Sequence, residues 1–106
     1  MKILALEKEF PNVPPDAFKS LAEAEARKAW ELHQVGLIRE LYFRADQSTA
    51  VLVLECASTD EAKAVLAELP FVSHGLIEFV LIPLVAYPGF ERLFKEIRNT
   101  QTESCE

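Results

Sequence analysis

The stretch that decides the fold runs through residues 50–69. It reads Ala50-Val51-Leu52-Val53-Leu54-Glu55-Cys56-Ala57, then Ser58-Thr59-Asp60-Glu61, then Ala62, Val65, Leu66 and Leu69. The first part is a short apolar run rich in strand-forming residues, bounded by polar ones. Ser58 and Glu61 have the spacing of a capping box, in which a hydroxyl and a carboxylate satisfy N–H groups that the first helical turn leaves open. The apolar residues after it recur at i, i+3, i+4 and i+7, which places them on one face of a short helix. Pro70 ends that helix, because proline lacks the N–H that would continue it. A strand therefore passes directly into an amphipathic helix.

Upstream, Leu37 to Arg44 reads as a strand, joined to the first by a hairpin turn at Asp46-Gln47-Ser48. A long helical pattern from about Asp16 to Val35 precedes it. Asp16 lies at the positive end of the helix dipole, and Gly36 is placed for the left-handed residue after a helix. Phe18, Ala22, Ala26, Ala29 and His33 fall on one stripe, flanked by Leu21, Trp30 and Leu32, while Glu23, Glu25, Arg27, Lys28 and Glu31 cover much of the rest. Pro11, Pro14 and Pro15 separate this helix from a first strand at residues 2–8. Downstream, Phe71-Val72-Ser73-His74-Gly75 reads as a loop before a last strand from about Leu76 to Ile82, whose pairing Pro83 and Pro88 limit. Phe90, Leu93, Phe94 and Ile97 form one more stripe at helical spacing, and residues 99–106 are expected to be a disordered polar tail.

The order is β-α-β-β-α-β with a C-terminal helix. It predicts one α+β domain over residues 1–98, ferredoxin-like, with a four-stranded antiparallel sheet and both helices on one face. The chain of 106 residues has room for no second domain. Half of it is hydrophobic, which excludes disorder for most of its length. No apolar run is long enough to span a bilayer, so no membrane role is expected. The net charge of −6 lacks the basic stripe that would neutralise phosphates, so no nucleic-acid partner is expected. Two cysteines, Cys56 in an apolar run and Cys105 near the C-terminus, show no metal or redox spacing and fit a reducing cytoplasm. No metal or other cofactor is expected.

The strands carry a physical conflict. An antiparallel sheet covered on one side normally alternates apolar and polar residues. Here Val51, Leu52, Val53 and Leu54 are apolar on both faces, as are Leu76, Ile77, Phe79, Val80, Leu81 and Ile82. Two helices hide one face, and the other would expose a large apolar patch. Loops and the C-terminal helix folding back would be one cover. A second copy packed sheet against sheet is the preferred one, since one short helix covers much less area than four strands offer, and a homodimer or higher homo-oligomer is expected.

Charged groups in such a setting need a partner or a purpose. Strict alternation along the second strand puts Arg39 with Leu37, Leu41 and Phe43, and Glu40, Tyr42 and Arg44 with Ile38. Glu55 and Glu78 join the third and fourth strands. A carboxylate in a low dielectric has its pKa raised, which suits proton transfer near neutral pH. The plain alternative is an ion pair between Glu40 and Arg44 and a strand-ending Glu55. Glu78 interrupts an apolar run near its centre and is the hardest to leave idle. His33 on the inner helix face is either a hydrogen-bonded core histidine or a site residue. His74 reads as a solvated turn residue.

Several stretches together resemble the muconolactone isomerase-like group of the dimeric α+β barrel superfamily. They are Pro14-Pro15; Arg27-Lys28-Ala29-Trp30-Glu31-Leu32 followed by Gly36-Leu37-Ile38-Arg39-Glu40-Leu41-Tyr42; Leu69-Pro70; Glu78; and Pro83-Leu84 with Tyr87-Pro88. The resemblance implies two sheets building a barrel around a cavity for a small organic molecule. It also implies a metal-free and cofactor-free shift of a proton next to a carbonyl. On that reading Glu40 or Glu78 is the base, and Tyr42, Arg39 or His33 donates to the enolate-like oxygen. Glu40 stands where a basic or imidazole group is expected after Arg39, and the stretch from Pro70 to Glu78 is longer than in the isomerase. The other readings are a non-catalytic oligomeric module that binds a ligand or builds an assembly, and a cofactor-free oxygenase using Trp30, Tyr42 and Phe43.

Overall fold

The structure, a computed structural model, describes residues 1–94. The expected polar tail at 99–106, Ile97 and Cys105 lie outside the described residues. Strand β1 spans Lys2–Glu9, helix α1 Pro15–Gln34, β2 Ile38–Phe43, β3 Ala50–Glu55, α2 Thr59–Leu66, α3 Pro70–Ser73 and β4 Ile77–Leu84, and a 3-10 segment follows at Pro88–Phe94. The strands form one antiparallel sheet in the order β2-β3-β1-β4. This is the α+β arrangement that the order of elements predicts.

The local chemistry explains the boundaries. Pro15 opens α1, where a missing N–H costs nothing. Gly36 closes it at φ +86°, a left-handed conformation that side chains with a Cβ resist. Ser58 Oγ accepts the Glu61 N–H at 3.1 Å, and the Glu61 carboxylate in turn accepts the Ala57 N–H, so the capping box is formed. The hairpin between β2 and β3 is braced by Arg44, which donates to both carboxylate oxygens of Asp46, at 2.9 and 2.5 Å.

Alternation then builds the core. Ile3 and Ala5 of β1, Leu52 and Leu54 of β3 and Ile38 of β2 point to the helix side, where they meet Leu32, Ala62, Val65, Leu66 and Leu69. Cys56 is a buried free thiol in the same cluster, as its apolar setting predicts. The opposite face carries Leu4, Leu6, Val51 and Val53, half-buried, and Val80, Ile82 and Leu84, exposed. Both faces are apolar, as the strand sequences require. Phe90, Leu93 and Phe94 of the 3-10 segment are themselves half-exposed or more, so these side chains do not seal the second face.

Four local expectations are corrected. A register shift between Ile38 and Glu40 breaks the alternation of β2. Ile38 pairs with Leu54 on the helix side, but Glu40 and Tyr42 pair with Val53 and Val51 on the other side. They therefore do not share a face with Ile38, because a bulge adds one residue to the pleat. Arg44 pairs with Asp46 and not with Glu40, which binds Tyr42. Helix α2 ends at Leu66, four residues short of Pro70, and Pro70 instead opens a new turn, α3, where the sequence predicts a loop. The segment after Gly89 is 3-10 and not α-helical through Phe94, and Gly89 is held by the Tyr87 ring, which a Cβ would strike.

Candidate active site

Between α1 and the helix side of the sheet lies an open cavity of about 730 Å³. Its origin is the stripe of small residues on α1. Ala22, Ala26 and Ala29 face the sheet where larger side chains would fill the space, and the gap opens above Leu52, Ile77 and Phe79. Phe71 bounds the cavity, held edge-on to Phe18 with ring centroids 5.2 Å apart. Toward β2 the lining includes Trp30, Leu41 and Phe43, all of them solvent-exposed.

Two carboxyls reach into this apolar space. Glu7 follows Ile3 and Ala5 on the inner face of β1. It accepts the Ala50 N–H at 2.7 Å, just beyond the last β1–β3 pair, Leu6 with Val51. Glu25 projects from the middle of α1 and accepts the Phe71 N–H at 2.8 Å, which serves a donor that the first turn of α3 leaves open. Burial pushes both carboxyls above the ordinary range. In Glu7 the Ala50 N–H opposes that rise, and the neighbouring Glu9 and Glu25 carboxylates add to it. In Glu25 the Phe71 N–H opposes it. Each retains its proton to higher pH than a solvated glutamate does.

His33 closes the lower end of the α1 stripe. Its Nδ1 lies 2.8 Å from the Ile38 carbonyl oxygen, and its ring centroid is 5.8 Å from that of Trp30. Arg39 Nε donates to the Gly36 carbonyl at 2.5 Å. The Tyr42 hydroxyl donates to Glu40 Oε1 at 2.7 Å, and that carboxylate holds the phenol above its ordinary pKa. Arg39, Glu40 and Tyr42 are exposed and border the cavity along β2.

Of the residues singled out in the sequence, His33 and Arg39 line this cavity, while Glu40 and Tyr42 border it from β2 with their side chains paired on the opposite face of the sheet. Glu78 is elsewhere. It pairs in register with Lys8 on the opposite face of the sheet and does not line the cavity. The sequence pattern does not single out Glu7, and it places Glu25 with the outer covering of α1, yet both line the cavity. The signal was present in both. Period two places Glu7 with Ile3 and Ala5, and Glu25 lies three residues after Ala22 and four before Ala29, on the inward stripe. Among the described residues no group of three or more His, Cys, Asp or Glu side chains is arranged to hold a metal.

Known proteins with this arrangement are recognisable. A search of curated proteins gives no match. A solved muconolactone isomerase superposes with a TM-score of 0.68 at 20% identity, covering 83% of this chain and 92% of that one. The 5-chloro-2-hydroxyhydroquinone dehydrochlorinase of Burkholderia phenoliruptrix AC1100, solved in complex with 2,5-dihydroxybenzoquinone, superposes with a TM-score of 0.63 at 18% identity, covering 80% of this chain and 94% of that one. Both likenesses establish the fold. The sequence model of muconolactone delta-isomerase matches residues 5–89, which is most of the chain and includes every element from the middle of β1 to β4. With that match, the chain belongs to the muconolactone delta-isomerase family.

Proposed function

We propose that this protein is a cofactor-free isomerase that moves a proton next to a carbonyl in a small unsaturated ring, with Glu25 as the acid–base group. The observation that carries the reading is the pair of half-buried carboxyls, Glu7 and Glu25, in one apolar cavity with their pKa values raised. A carboxyl with a raised pKa is a stronger base when ionised and still gives its proton back near neutral pH. Glu25 Oε1 is fixed by the Phe71 N–H, which leaves Oε2 to take a proton from carbon and return it at another carbon. Glu7 in its protonated form donates to the oxygen on which negative charge develops. The two solved relatives support a ring ligand with carbonyl character, since one is named for a lactone and the other holds a dihydroxybenzoquinone.

The reading includes a homodimer. The face carrying Leu4, Leu6, Val51, Val53, Val80 and Ile82 is apolar and lies outside the cluster that the helices cover. A twin face is of the same chemical character. The buried free thiol of Cys56 suits a reducing cytoplasm.

Exchange of ring hydrogens for deuterium tests the chemistry. Muconolactone in D2O, followed by NMR, is expected to gain deuterium with the wild-type protein. Glu25→Gln keeps the acceptor for Phe71 and loses the base, and is expected to slow the exchange by about 10²- to 10⁴-fold. Equal exchange by both proteins overturns the assignment.

A further inference from the structure

His33 is the one imidazole in the cavity, and its geometry fixes which nitrogen is available. A backbone carbonyl only accepts, so the 2.8 Å contact with the Ile38 oxygen puts the hydrogen on Nδ1. That carbonyl belongs to the fully buried first residue of β2. The turn before it is itself closed by the Gly36 N–H on the His33 carbonyl and the Leu37 N–H on the Leu32 carbonyl, both at 3.0 Å. A rigid acceptor thus holds one tautomer, and neutral His33 keeps its lone pair on Nε2. In that neutral tautomer Nε2 is an acceptor and not the donor that the sequence suggests.

The other polar groups of the cavity leave that acceptor distinctive. Arg39 Nε is engaged with the Gly36 carbonyl, and the Tyr42 hydroxyl is bound to Glu40 on the far face of the sheet. Glu7 and Glu25 each have one oxygen on a backbone N–H and hold their protons above the ordinary range. A ligand that brings an acidic hydroxyl finds in Nε2 a base with the lone pair free. The imidazolium that would result lies beside Trp30 at a centroid distance of 5.8 Å, within the range over which an indole face attracts a cation.

We propose that His33 Nε2 accepts the proton of a phenol- or enol-type hydroxyl on the ligand, so that the cavity takes hydroxylated rings and holds them as the oxyanion. The ligand O–H bond breaks, the Nε2–H bond forms, and the electron pair stays on the ligand oxygen opposite the imidazolium. The inference rests on the proposed acid–base reading of this cavity and adds the ligand class and the residue that selects it. It assigns no carbon chemistry to His33, which remains with Glu25.

The probe is 4-nitrocatechol, whose visible absorption separates the phenol from the phenolate, added to the whole protein at a pH where the free probe is mostly phenol. The wild type is expected to shift the bound probe to the phenolate band. His33→Asn retains a donor for the Ile38 carbonyl but has no atom at the Nε2 position. His33→Gln places a non-basic amide there. Both are expected to leave the bound probe as phenol and to weaken binding by about tenfold, the size of one charge-assisted hydrogen bond. A second measurement needs no variant: nitrogen-15 NMR of the wild type should show the Nδ1–H tautomer alone and the imidazolium with probe. Failure of the wild type to bind the probe, a phenolate band that persists in His33→Asn, or a His33 ring that stays neutral with probe bound overturns the inference. Glu25→Gln separates the two ideas, because it should lose deuterium exchange while keeping the phenolate band.

Discussion

The Glu25 carboxylate accepts the Phe71 N–H at 2.8 Å, tying the middle of α1 to the first turn of α3. One side chain thus closes a backbone vacancy and fixes a carboxyl inside an apolar cavity. The position of Glu25 and the existence of α3 explain each other, since the short turn leaves a donor that burial would otherwise penalise.

The same contact gives a pH signature. Burial holds the Glu25 carboxyl above its ordinary value of 4.5 in the folded protein. Below that value the group is protonated in both folded and unfolded chains and has no effect. As pH rises through the raised folded pKa, ionisation penalises the folded state. Glu25→Gln removes that penalty and keeps the acceptor. Its melting temperature relative to wild type is expected to rise between about pH 4.5 and neutrality, as thermal unfolding monitored by circular dichroism would show. A difference independent of pH counts against a buried carboxyl.

The alanine stripe predicts a separation of binding from stability. Ala26→Leu adds an aliphatic chain into open cavity space instead of the closed core. Stability is expected to change by no more than about 1 kcal/mol, because the chain has room to enter. Binding of a ring ligand, measured by calorimetry, is expected to disappear.

Val80 tests the sheet face. It is 47% exposed and pairs in register with Leu6 on the side away from the helices. On the proposed pairing through this face, Val80→Glu is expected to leave the fold intact and to sediment as a monomer where the wild type sediments as a dimer. A mutant of unchanged mass shows that this face is not the interface.

The core and the α1 terminus give two further magnitudes. Leu54 is completely buried between β2, β1 and the helices, so Leu54→Ala should cost about 2–5 kcal/mol in denaturant unfolding. Gly36 has no crowding near a Cβ, since the closest atoms are the flexible Arg39 head at 3.7 and 3.8 Å. Gly36→Ala should therefore cost only the left-handed backbone penalty of about 1–2 kcal/mol.

The sequence by itself determined the four strands, the two longer helices and their order. Ser58 with Glu61, the prolines before α1, Gly36 and the alternating aliphatics are local signals, and each acts over a few residues of chain. It also determined that both sheet faces are apolar, because pleating sends neighbouring side chains to opposite sides whatever their partners are. Only the tertiary structure decided which polar groups meet. The bulge after Ile38 turned Glu40 and Tyr42 to the far face, and Glu78 went opposite Lys8. Glu7 and Glu25, forty-three and forty-six residues from the backbone groups they bind, came into one cavity. Such meetings depend on strand register and on how α1 lies across the sheet. Those are set by the packing of the whole core, and no short stretch of sequence encodes them.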